Sequence, residues 1–107
     1  MAIKNVQLGT SETTILAGDS VVKTALLSLI FYNSDSATRT ITVYAYPDGS
    51  TAGDSTTIIG KLDIAPLDTY IWTANEKFIM APLDKISGLC DVASKVTVTS
   101  NFMLMGS

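Results

Sequence analysis

Proton transfer in this chain would fall to carboxylates, because histidine is absent from its 107 residues. The same absence removes the usual nucleophile–histidine pairs and most zinc sites. Paired Asp or Glu side chains can do acid–base work alone, and Asp48, Asp54, Asp63, Asp68 and Asp84 are the candidates. Each lies in or beside a cluster of turn-forming residues, where Asp serves local backbone hydrogen bonds. The loop over residues 47–55 carries Asp48 and Asp54 with Gly49 and Gly53. It lacks the alternating carboxylates and closing Glu of a calcium loop, and calcium takes about six to eight oxygens. No glycine-rich segment leads into a Lys-Ser/Thr helix start, so no phosphate cradle is expected. The single cysteine, Cys90, has Asp91 beside it. A neighbouring carboxylate keeps a thiol protonated, so Cys90 reads as a small buried hydrophobe. No catalytic residue, cofactor or metal is expected, and the chain does not read as an enzyme.

Aromatic side chains are the remaining candidates. Tyr70 and Trp72 share one face of a β-type segment and could stack on sugar rings, although a packed pair in a core explains them equally well. Tyr44 and Tyr46 fall on the outward face of theirs, where aromatics mark protein contacts.

The elements that must position these residues are short. One domain is expected from the length, and 47% apolar residues with 16% charged excludes intrinsic disorder. No apolar run approaches the roughly 20 residues of a membrane-crossing helix. The first five residues carry one Lys with no apolar stretch after it, so no signal peptide is expected. A net charge of −3 with Arg39 as the only arginine argues against nucleic acid as a partner. One cysteine cannot make an internal disulfide.

Alternating segments predict strands at residues 3–8, 13–16, 40–46, 56–62, 69–73, 78–80, 85–93 and 96–100. Turn clusters separate them, and Ala-Pro-Leu-Asp occurs twice, at Ala65-Pro66-Leu67-Asp68 and Ala81-Pro82-Leu83-Asp84. Proline suits the second position of such turns. The pattern predicts an all-β antiparallel sandwich, jelly-roll or Ig-like, of about eight strands, with residues 1–107 as one domain.

Residues 21–33 are ambiguous between strand and helix by period alone, and the all-β surroundings favour a strand. Read so, Ala25, Leu27, Leu29 and Phe31 share one face, while Val22, Leu26, Ile30 and Tyr32 share the other. A strand apolar on both faces must be covered twice. The terminal Phe102, Met103, Leu104 and Met105 pose the same problem. Leu26, Ile30, Tyr32, Tyr44, Tyr46 and Phe102 to Met105 are therefore the expected protein contacts. Residues 1–12 and 101–107 are candidate intersubunit segments.

Several stretches carry a resemblance to a family. They are Thr13-Thr14-Ile15-Leu16-Ala17-Gly18, Phe31-Tyr32-Asn33-Ser34, Ala37-Thr38-Arg39-Thr40-Ile41-Thr42-Val43, the proline hairpin from Pro47 to Asp54, Ile64-Ala65-Pro66-Leu67-Asp68-Thr69-Tyr70-Ile71-Trp72, and Ala93-Ser94-Lys95-Val96-Thr97-Val98-Thr99. Together they resemble small structural proteins of tailed bacteriophage virions. Where similar chains often have Pro-Gly-Glu at the mid-chain turn, this one has Pro66-Leu67-Asp68. The resemblance implies a β-sandwich capsid decoration (cement) protein in the virion, made in the host cytoplasm. Its implied partners are further copies of itself, as a trimer, and the major capsid protein, without nucleic acid or membrane. A tail or connector protein using Tyr70 and Trp72 as a glycan platform is the alternative.

Overall fold

The structure is a computed structural model and describes residues 2–105, apart from the side chains of residues 74–77. Eight strands follow one another: β1 (Ala2–Gln7), β2 (Thr13–Ala17), β3 (Thr24–Asn33), β4 (Arg39–Tyr46), β5 (Thr57–Ile64), β6 (Thr69–Met80), β7 (Lys85–Cys90) and β8 (Val96–Leu104). They form two four-stranded antiparallel sheets, the first in the order β1-β8-β3-β6 and the second in the order β2-β7-β4-β5. Hydrogen-bonded neighbours thus include β1 with β8, β2 with β7, β3 with β6 and β4 with β5. Those are the pairs of one long hairpin rolled up, so the sandwich is a jelly roll rather than an Ig-type arrangement.

Alternation builds the core. Val96, Val98 and Ser100 of β8 are buried, as are Ile41 and Val43 of β4, while the threonines between them are partly exposed. Leu8, Ile15, Leu16, Leu26, Leu29, Phe31, Ile59, Ile64, Met80, Ile86 and Cys90 complete the layer between the sheets. Gly88 sits where β7 meets that layer most tightly. A Cβ there would lie 2.9 Å from the Thr42 carbonyl oxygen and 3.1 Å from Ile15 Cδ1.

One irregularity in β3 decides much of the rest. Leu26 pairs with Phe102 and Ser28 with Asn101, so β3 spends two residues where β8 spends one. Leu27 is the extra residue of a bulge, which resets which side chains face inward. Leu26 before it and Leu29 and Phe31 after it are all fully buried. The strand is therefore apolar on alternate positions of both parities because its parity changes partway. On its β6 side the step from Leu26 to Ser28 spans Phe78 to Thr73. The two strands expected at 69–73 and 78–80 are accordingly one, β6. Strand β7 stops at Cys90 instead of reaching residue 93, β3 starts at Thr24, and β8 runs on to Leu104.

The turns do what their residues predict. Asp68 N–H donates to the Ala65 carbonyl at 3.2 Å, and Asp84 N–H to the Ala81 carbonyl at 3.1 Å, closing both Ala-Pro-Leu-Asp copies as turns. Asn33, fully buried at the end of β3, ties the neighbouring loops together. Its Nδ2 lies 2.9 Å from the Ala37 carbonyl, 3.0 Å from that of Ile64 and 3.2 Å from that of Ala65. Its Oδ1 accepts from Asp35 N–H at 2.9 Å. Replacing it by Ala leaves buried carbonyls without donors, so Asn33→Ala is expected to lower the unfolding free energy by about 3 kcal/mol. Urea denaturation of the two proteins checks this; a change within about 0.5 kcal/mol would show the cluster to be solvated.

Candidate functional site

The two outer faces of the sandwich differ in chemistry. On the second sheet, Thr40, Thr42, Tyr44 and Tyr46 face outward along β4, in register with Asp63, Leu89, Ser87 and Lys85. The Tyr46 hydroxyl donates to Glu12 Oε2, and Ser87 Oγ–H donates to the same oxygen at 2.6 Å. These donors, Ser87 foremost, hold the Glu12 carboxyl below the usual carboxylate range. Burial, aided by the Glu12 carboxylate, pushes the Tyr46 hydroxyl above its usual range. A carboxylate with a depressed folded pKa stabilises the fold above its ordinary titration range and loses that contribution as the pH falls through it. The cluster therefore works as a clamp between residue 12, β4 and β7, and its hydroxyls are occupied. Beside it an open depression of about 470 Å³ is lined by Thr42, Tyr44, Asp54, Thr57, Gly60, Lys61 and Leu89.

Three of the carboxylates singled out above are engaged in local hydrogen bonds. Asp63 accepts from Thr40 Oγ1 at 2.7 Å, Asp68 from Thr69 N–H at 2.8 Å and Asp84 from Ala81 N–H at 2.9 Å. Asp48 and Asp54 are exposed at the β4–β5 connection. Among the described residues, no three His, Cys, Asp or Glu side chains gather as a metal cluster would need. Cys90 is buried, and burial raises its thiol pKa. Arg39 pairs with Asp35 at 3.2 Å and with Asp91 at 3.5 Å, bracing the β3–β4 turn against the end of β7.

The outer face of the first sheet is different. The register sets Asn5, Thr99, Ile30 and Ile71 in one row and Gln7, Thr97, Tyr32 and Thr69 in the next. Ile3, Asn101, Ser28 and Thr73 make a third row, and Met103, Ala25 and Ile79 a fourth beyond the bulge. Among the described side chains of this face none is charged. Ile71 is 58% exposed, Tyr32, Ile79 and Met103 about 40% each, and Ile3 69%. A solvated sheet face normally alternates with charged and strongly polar residues, whereas the centre of an interface is depleted of charge. Threonine and asparagine stand between the apolar side chains, so the described residues of this face carry polarity without charge.

Of the expected contact residues, Ile30, Tyr32 and Met103 lie on this face, and Leu104 is half exposed just past its end. Leu26 does not join them: the bulge turns it into the core, where it has no exposed surface. Phe102 faces inward and packs against the core, and Met105 is partly buried, its N–H donating to the Lys23 carbonyl at 2.8 Å. Tyr44 and Tyr46 lie on the opposite, polar face. Tyr70 and Trp72 point between the sheets, in register with Phe31 and Leu29. Tyr70 packs on Phe31 at 6.1 Å and Trp72 edge-on against Phe78 at 5.7 Å, and both are partly buried against the core. Strand β1 is one of the two edges of the first sheet and is mostly exposed; Met1 and residues 106–107 of the candidate intersubunit segments lie outside the described residues. Ile71 and Ile79, exposed on the same face, are not among the expected contacts, because the aromatics beside them dominate the pattern. The alternation of Thr69, Ile71 and Thr73 was their signal.

The fold and this face define a jelly-roll domain with a sheet surface that is studded with apolar side chains and free of charge among its described residues. No family model matches the chain, and no curated protein sequence matches it. Among solved structures, it is similar to a chain from the structure of infectious bursal disease virus, Gx strain. The two are 7% identical, with a TM-score of 0.47 over 98% of this chain and 31% of the other. A subunit of Bacillus endospore appendages, described as disulfide-linked pili, is 14% identical, with a TM-score of 0.40 over 92% of this chain and 81% of that one. The chain thus spans about a third of the length of the viral chain. No helix is long and apolar enough to cross a membrane among the described residues.

The division between core and outer face is testable by stability alone. Leu26→Ala is expected to cost about 2–5 kcal/mol, as a fully buried leucine does. Ile71→Thr, equally aliphatic in sequence, is expected to stay within about 0.5–1 kcal/mol of wild type. Comparable losses for both in thermal unfolding would contradict the assignment of faces.

Proposed function

We propose that this chain is a non-enzymatic structural protein of a tailed-phage particle, most concretely a capsid decoration protein. On this reading it occurs in the virion as a homo-oligomer and docks on the major capsid protein through the outer face of the first sheet. The observation that carries the docking is that face itself, apolar at Ile30, Tyr32, Ile71, Ile79 and Met103 and free of charge among its described side chains. The phage setting rests on the sequence resemblance, since a jelly roll serves many roles. Burying such a face costs little desolvation, and repetition over a shell multiplies modest contacts into lasting attachment. The polar face with its Glu12–Tyr46–Ser87 clamp would then look outward to solvent.

A tail protein with a glycan platform is the weaker reading, because Tyr70 and Trp72 are committed to packing against the core. Adding purified protein back to particles stripped of it tests the proposal. Wild type is expected to rebind and raise the melting temperature of the shell. Ile71→Lys is expected to bind about tenfold more weakly or worse, the loss typical of a central contact residue, with its own fold intact. Rebinding of Ile71→Lys at wild-type strength would contradict docking through this face.

A further inference from the structure

Two leucines occupy backbone conformations that disfavour them. Leu67 has φ 59° and Leu83 φ 69°, both in the left-handed region. Each is the third residue of an Ala-Pro-Leu-Asp turn, the position that calls for positive φ and is normally given to Gly or Asn. A leucine there brings its Cβ against the following carbonyl oxygen. Neither side chain recovers that cost through burial in this chain: Leu67 is 64% exposed and Leu83 50% exposed. The same unfavourable choice, made twice at opposite ends of β6, leaves an apolar side chain at each turn tip with no internal use.

We propose that Leu67 and Leu83 are contact side chains, each set into an apolar hollow of the protein surface on which this chain docks. The inference rests on the docking reading and extends it from the sheet face to two turn tips. A protein partner fits the chemistry better than a lipid or a sugar. Asp68 and Asp84 directly follow the leucines, so an anionic bilayer would be repelled. A sugar is held by hydrogen bonds and by stacking on aromatic planes, and a leucine side chain supplies neither. An aliphatic knob on a satisfied, rigid turn suits a preformed apolar pocket.

The test is to replace the leucines by residues that prefer their backbone. Leu67→Gly and Leu83→Gly are made singly and together, with the Asn pair as a second set that retains a Cβ. Melting temperature of the isolated chain and affinity for stripped particles are measured for each. The expected outcome is opposite in the two readouts: melting temperature unchanged or raised by a few degrees, and binding by the double variants weakened about tenfold or more. Double variants that bind as wild type overturn this proposal alone, leaving the sheet-face docking in place. A fall in melting temperature of more than about 5 °C in both sets overturns it as well, because the leucines would then be structural. Wild type that fails to bind stripped particles overturns the docking reading and this proposal together.

Discussion

A single extra residue in the central strand of the first sheet governs which surface this molecule presents. Side chains along a strand alternate between faces, so an insertion in one ladder inverts every assignment beyond it. Leu27 is that insertion in β3. Before it the inward residue is Leu26; after it they are Leu29, Phe31 and Asn33, all buried. The outward set becomes Ala25, then Ser28, Ile30 and Tyr32. Without the bulge, the ring of Phe31 or the isobutyl of Leu26 would have to leave the core.

The consequences run outward from there. Strands β6 and β8 follow β3 on either side, and their own outward residues, Ile71, Ile79 and Met103, fall beside Ile30, Tyr32 and Ala25. The core needs the inward side chains for stability; nothing inside the chain needs the outward ones. Charge is spent elsewhere: on the Arg39 pairs at one turn, on the Glu12 clamp across the second sheet, and on carboxylates that hold turns in shape. The molecule thus has one polar, clamped side and one side on which no described side chain is charged.

Much of this was legible in the residues, for reasons that also explain the failures. The all-β class, the two Ala-Pro-Leu-Asp turns and the burial of Cys90 followed from alternation and turn chemistry, which are local. The jelly-roll order was not local and could not be separated from an Ig-like one, because strand spacing does not say which strands pair. Counting by twos places Leu26 outward because it assumes an unbroken ladder, and no residue type at Leu27 announces a bulge. The apolar residues on both parities did announce the strain in that count. Aromatics serve cores and contacts alike, and only the register of Tyr70 and Trp72 with Phe31 and Leu29 shows that they turn toward the core. Ile30, Tyr32 and Met103 lie on the outer face as expected, with Tyr32 and Met103 exposed and Ile30 partly so.

Hydroxyl-radical footprinting of the chain, free in solution and attached to the particle, tests the central claim most directly, since it reads each side chain in the intact fold. The account expects Tyr32, Ile71 and Met103 to lose most of their reactivity on attachment, while Tyr44 and Tyr46 keep theirs. Protection of the tyrosines of the second sheet with Tyr32, Ile71 and Met103 still reactive would contradict it.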